Sequence, residues 1–146
     1  MAEPRNHVHL SAEVAAPPGQ VFDYFTNEFH EIWMGKMEHV REGHHEDEPL
    51  GHGFVRRMHT PAGVLEEEIT AHERPGLIEY RVINEARIHN HLGRIELTGS
   101  GPGGTQVDYT VSFDYRPPWQ GPVAVRAMRV GWALRGRRRL AKRFPR

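Results

Sequence analysis

Three consecutive carboxylates sit in the middle of an otherwise strand-like segment, Val64-Leu65-Glu66-Glu67-Glu68-Ile69-Thr70. Successive side chains of a strand point to opposite faces. A register that turns Leu65, Ile69 and Ala71 inward therefore turns Glu67 inward and leaves Glu66 and Glu68 in solvent. The same parity in neighbouring segments selects Phe54, Arg56 and Met58, then Ile78, Tyr80 and Val82, then His89, His91, Gly93, Ile95 and Leu97. The last extended segment contributes Val107, Tyr109, Val111, Phe113 and Tyr115. Five polar groups thus share apolar faces: Arg56, Glu67, Tyr80, His89 and His91. A buried carboxylate is costly alone, but beside an arginine it stays ionised and hydrogen-bonded. Two readings stay open. Arg56–Glu67, with Tyr80 as a third member, is an internal ion pair that fixes strand register. Alternatively the cluster is the polar end of a ligand pocket, in which Glu67 or His91 moves protons.

Other motifs carry less chemistry. His44, His45 and His52 surround Glu46, Asp47 and Glu48 in one loop, yet the spacing lacks the fixed pattern of a zinc site, and no metal is expected. The run "GSGPGG" at 99–104 matches GxGxxG in letters, but an alternating strand follows it where a dinucleotide site needs a helix, so it reads as a hairpin turn. With no cysteine, thiolate ligands, thiol nucleophiles and disulfides are excluded. The tail "RGRRRLAKRFPR" is strongly basic. Up to Asp114 the chain has 19 acidic and 9 basic residues; beyond it come 10 basic residues and no acid. Attraction between tail and body accounts for that split, and no nucleic-acid partner is expected. No apolar run approaches the roughly 18 residues of a membrane span and no signal peptide is visible, which fits a cytoplasmic protein.

The elements that must position these groups follow from periodicity. "HVHLSAEV" (7–14) alternates, with Val8, Leu10, Ala12 and Val14 on one face. "APPGQVFDYFTN" starts a helix at its prolines, and "EFHEIWMGK" a second short one in which Phe29 meets Ile32 and Trp33. Extended segments follow at about 37–41, 53–59, 63–73, 77–84, 88–98 and 105–115, joined by short turns that make neighbours antiparallel. The period then becomes helical. Val123, Ala127, Val130, Leu134 and Ala141 form one stripe, read as facing inward, with Met128 and Trp132 beside it. The pattern predicts one α+β domain over 1–146, with loose ends at 1–6 and 144–146. Its sheet of about seven strands curls on a long C-terminal helix, and the small inward residues Gly93 and Ala12 leave a hollow between them.

The runs "VAAPPGQVFDYFTNEFHEIWMGKM", "GHGFVRRMHTPAGVLEEEITAHERPGLIEYRV" and "GTQVDYTVSF", the last before an amphipathic helix, resemble the START-related (SRPBCC) superfamily. The likeness is strongest to its small bacterial polyketide cyclase/dehydrase-like members. It spans about residues 7–143 and implies a helix-grip fold, but it is a pattern of elements rather than a catalytic signature. The function expected is binding of a hydrophobic or aromatic small molecule between sheet and helix, with no cofactor. Arg56, Tyr80, His89, Phe54, Met58, Tyr109, Phe113, Val130 and Leu134 would line that space. The resemblance also implies an alternative, aldol cyclisation or dehydration of a polyketone-like substrate. Glu67 or His91 would then be the base, and Arg56 or Tyr80 would stabilise the enolate. A third reading is an interaction module that pairs with a partner or a second copy through Val125, Met128 and Trp132.

Overall fold

The computed structural model describes residues 2–146 and contains seven strands in a single antiparallel sheet. They are β1 (Asn6–Val14), β2 (Lys36–Arg41), β3 (Val55–Thr60), β4 (Gly63–Glu73), β5 (Leu77–Val82), β6 (Ile88–Gly99) and β7 (Thr105–Tyr115). Their order across the sheet is β1-β7-β6-β5-β4-β3-β2. Strands two to seven form a meander, and β1 joins it from outside by pairing Asn6 with Phe113 through Val14 with Thr105. Helix α1 (Pro18–Asn27) begins with proline in its first turn, where the missing N–H costs nothing. It buries Val21, Phe22, Tyr24 and Phe25. The second helix expected from the sequence is a single 3₁₀ turn, Phe29–Glu31. "GSGPGG" is the β6–β7 turn, closed by Ser100 N–H to Gly104 O, with Gly101 and Gly103 at φ +61° and +73°.

The C-terminal helix runs as α2 (Gly121–Gly131), a π-helical turn (Trp132–Gly136) and α3 (Arg137–Arg143). It lies on the interior face of the sheet as the helix-grip architecture requires, but presents a different side from the one periodicity suggested. Val123, Val130 and Leu134 are 63%, 48% and 58% exposed, whereas Trp132, Gly136, Leu140 and Phe144 are buried and Ala124 and Met128 pack against the core. The inner row is a strict four-residue repeat: 124, 128, 132, 136, 140, 144. In an α-helix such a repeat drifts by about 40° per step. The wider π turn takes back part of that drift and keeps Leu140 and Phe144 over the core. Trp132 Nε1–H donates to Ser11 O at 2.9 Å, tying the helix to β1. Gly136 makes room for the same indole, since a Cβ there would stand 2.7 Å from Trp132 Cε3. Phe144, expected at a loose end, packs edge-on against Tyr24 with ring centres 5.7 Å apart.

Bulges in β4 and β6 reset side-chain parity. The register shifts between Ile69 and Ala71, so Ala71 pairs with Glu79 on the outer face. His72 comes instead against the Phe22 ring at 4.6 Å. A second shift lies between His89 and Leu92, where Asn90 takes φ 47°. Ile88 is turned inward there and His89 outward.

Gly93 creates no hollow. It pairs directly with Tyr80 on β5, and the Tyr80 ring occupies the space that its side chain would fill. No helix among the described residues is long and apolar enough to cross a membrane. Because the Tyr80 ring is held at its hydroxyl end by Tyr109, it cannot swing aside for a methyl group. Gly93→Ala is expected to destabilise the fold by about 2 kcal/mol, the range for overpacking, measured by urea denaturation. Wild-type stability in that variant would mean that the ring is free to move.

Candidate functional site

Arg56 on β3 and Glu67 on β4 stand directly opposite each other in the register. Arg56 Nε–H donates to Glu67 Oε1 at 2.8 Å, with side-chain exposures of only 3% and 7%. The guanidinium carbon lies 3.7 Å from the centre of the Phe29 ring and 4.8 Å from that of Tyr80. Aromatic faces thus replace part of the solvation that burial removes. Arg56 Nη2 is fully buried and donates to nothing among the described residues. The bond from Arg56 engages Glu67 Oε1 and leaves Oε2 outside it.

Beside this pair, the Tyr80 and Tyr109 hydroxyls are hydrogen-bonded to each other. Trp33 Nε1–H donates to the Tyr109 hydroxyl at 3.1 Å. Burial above all raises both phenols well beyond the usual tyrosine range, and the Glu67 carboxylate adds to the effect. Both are neutral at physiological pH. His91 lies 5.3 Å from Tyr80, ring centre to ring centre. Its Nδ1 accepts the Val82 N–H at 3.2 Å, which places the ring proton on Nε2. Burial first, then the Arg56 and Arg81 charges, lower its pKa to about 3.

Of the residues expected at the site, Arg56, Glu67, Tyr80, Tyr109 and His91 converge on one network. Phe54, Met58 and Phe113 are core residues of the same interior. His89, turned out by the bulge, lies at the surface near Asp114. Val130 and Leu134 face away from the sheet and line nothing. On the Val125/Met128/Trp132 side of the helix, Trp132 is buried and Val125 and Met128 are half-buried against the core. Parity reasoning missed Phe29, Trp33 and Trp132, which enclose the network from the helical side. Their signal was the four-residue spacing from Phe29 to Trp33 and the indole at position 132.

The expected hollow between sheet and helix is occupied by side chains. Trp132 and Tyr109 ring centres are 5.8 Å apart, Trp33 and Tyr109 6.0 Å, and Trp33 and Trp132 6.5 Å. Two surface depressions of about 430 and 320 Å³ lie near Arg5 and Asn6, and neither is lined by Arg56 or Glu67. The histidine loop is closed by backbone bonds from Gly43 N–H to Pro49 O and His44 N–H to His52 O. No group of three or more His, Asp or Glu side chains forms a metal-binding set among the described residues. Tail and body are joined by two ion pairs, Arg139–Glu31 at 3.2 Å and Arg143–Glu28 at 3.6 Å.

The fold has many solved counterparts. A protein from Thermobifida fusca is similar over 94% of this chain and 91% of its own, with a TM-score of 0.70 and 21% identity. One from Mesorhizobium loti covers 94% and 95%, with a TM-score of 0.69 and 19% identity. Norcoclaurine synthase from Thalictrum flavum, solved in complex with dopamine and hydroxybenzaldehyde, covers 88% and 86%, with a TM-score of 0.59 and 14% identity. At such identities the likeness establishes the fold. No curated protein sequence matches the chain. The family model described as polyketide cyclase/dehydrase and lipid transport matches residues 5–143, from the residue before β1 to the last of α3. Every strand and helix that carries the network lies inside that match, and the chain belongs to the polyketide cyclase/dehydrase and lipid transport family.

Proposed function

We propose that the protein binds a hydrophobic or aromatic small molecule carrying an oxygen acceptor, beneath Trp33 and against the Arg56–Glu67 pair. The observation that carries this reading is the buried Arg56 Nη2–H, a charged donor without an acceptor. Leaving such a donor unmet costs more than leaving a neutral one, and a ligand carbonyl, phenol or carboxylate would satisfy it. Phe29, Tyr80, Tyr109 and Trp132 supply flat apolar contacts around that point. Trp33 is the half-buried member of the group, on the short segment between the 3₁₀ turn and β2. Swinging it outward costs one indole–phenol hydrogen bond and the ring contacts with Tyr109 and Trp132, and opens the network without unfolding the sheet.

A catalytic extension rests on Glu67 Oε2. A carboxylate oxygen that the guanidinium does not engage can take a proton from carbon next to a ligand carbonyl, while Arg56 holds the oxygen that becomes the enolate. The enolate carbon then attacks a second carbonyl of the same chain, and the resulting alkoxide recovers the proton. His91 is unsuited to be the base, because its one lone pair already accepts the Val82 N–H. The family description favours both readings equally, and the structure of norcoclaurine synthase in complex with dopamine and hydroxybenzaldehyde supports an aromatic ligand.

Calorimetry with hydroxybenzaldehyde, together with native mass spectrometry of protein from its own host, tests the binding reading. Retention of a small molecule, or heat lost on Arg56→Met, is expected; absence of both would refute it. Single changes Arg56→Met or Glu67→Gln should destabilise the fold by about 3–5 kcal/mol, since each strands a buried partner. The double change Arg56→Met/Glu67→Leu should recover most of that stability while weakening ligand binding roughly tenfold. A double variant that binds as the wild type does would reduce the pair to a structural role. Trp33→Ala should strengthen binding of the same aldehyde several-fold.

His91 sets a pH dependence with a definite sign. Its folded pKa lies below the unfolded value of about 6.5, so between pH 6.5 and 3 the unfolded chain holds the extra proton. Stability must therefore fall as pH falls through that window, by about 3 kcal/mol at pH 4. His91→Gln should flatten this part of the stability–pH curve, and an unchanged curve would mean that the ring is accessible to protons.

A further inference from the structure

The outward side of the C-terminal helix carries its own pattern. Val123, Ala127, Val130 and Leu134, at steps of three and four, form an exposed apolar stripe. Trp119, 73% exposed, stands in the 3₁₀ turn just before the helix. Arg126, Arg129, Arg137 and Arg138, spread along the same helix, are all exposed. Of the ten basic residues beyond Asp114, only Arg139 and Arg143 pair with a carboxylate among the described residues. No acid occurs anywhere in this stretch. The cationic field continues across the depression of about 430 Å³ beside the helix, which Arg5, His7, Arg126 and Arg129 line.

We propose that this face docks the protein on an anionic lipid bilayer, with the helix lying in the plane of the interface. The stripe would enter the boundary between headgroups and acyl chains, Trp119 would sit at headgroup depth, and the exposed arginines would pair with lipid phosphates while their stems stay over apolar surface. Charge decides between occupants. A second copy meeting the same face across a two-fold axis would set Arg126, Arg129, Arg137 and Arg138 against their own duplicates. A nucleic acid would answer the arginines but leave the aliphatic stripe in water, and Trp119 alone makes no stacking platform. An anionic bilayer satisfies stripe and cations together. This face is remote from the Arg56–Glu67 network, so it stands or falls independently of the ligand reading.

Flotation with phosphatidylglycerol/phosphatidylcholine vesicles, against vesicles of phosphatidylcholine alone, tests the assignment. Binding to the anionic vesicles should be roughly tenfold stronger or more, and should weaken in high salt. Val130→Ser/Leu134→Ser and Arg126→Glu/Arg129→Glu should each lower it roughly tenfold, with unfolding midpoints near the wild type because all four side chains are exposed. Equal affinity for both vesicles, or none for either, overturns the proposal. So does a concentration-dependent dimer mass in light scattering that the serine variant abolishes, or salt-sensitive retention on DNA that the serine variant leaves intact.

Discussion

A guanidinium and a carboxylate buried face to face on adjacent strands constrain everything around them. The Arg56–Glu67 pair stands in the register that also turns Leu65 and Ile69 inward, since a slip of one residue in β4 would expose both apolar side chains and carry Glu67 to the outer face. Neither charge is tolerable inside without the other. The pair also dictates its surroundings. Phe29 and Tyr80 lie against the guanidinium, Tyr80 requires glycine at position 93, and its hydroxyl meets Tyr109, which in turn accepts from Trp33. The 3₁₀ turn, five strands and the segment before β2 are thereby coupled through one chain of contacts.

Much of this was legible in the residues. Alternation in β4 alone singled out Glu67, and the turn residues around "TPAG", "ERPG" and "GSGPGG" delimited the meander closely: β4 and β7 occupy the predicted 63–73 and 105–115. The failures have two physical origins. Parity carries no information across a bulge, and the shift between His89 and Leu92 turned a presumed pocket residue to the surface. Helical periodicity assumes a constant pitch, and the π turn at Trp132–Gly136 breaks it. The helix also has two apolar sides, so the more aliphatic one was read as inward although Trp132, Leu140 and Phe144 hold the other against the core. The glycine at 93 was correctly placed inward, but no sequence rule shows which neighbour will fill the room that a missing side chain leaves.

Family membership and local chemistry carry different weight here. The match over residues 5–143 accounts for the sheet, the helix and their order. It does not choose among the family's described roles, because those depend on which groups the strands turn inward. In this chain the inward polar groups are an ion pair, two linked phenols and a neutral imidazole, enclosed by two indoles. That set is a closed network in the folded state, and any ligand must exchange an existing internal contact for one of its own.

The sheet order has a consequence for how the chain acquires its shape during synthesis. β3 through β7 each pair with the strand made just before, so the meander can zip together locally as it leaves the ribosome. β1, made first, has no partner until β7 appears about a hundred residues later. Until then the oldest strand travels with its backbone groups unpaired, and the terminal helix has no completed surface to cover. Closure of the sheet therefore waits for β7, and the nascent polypeptide is most open to mispairing just before that strand emerges.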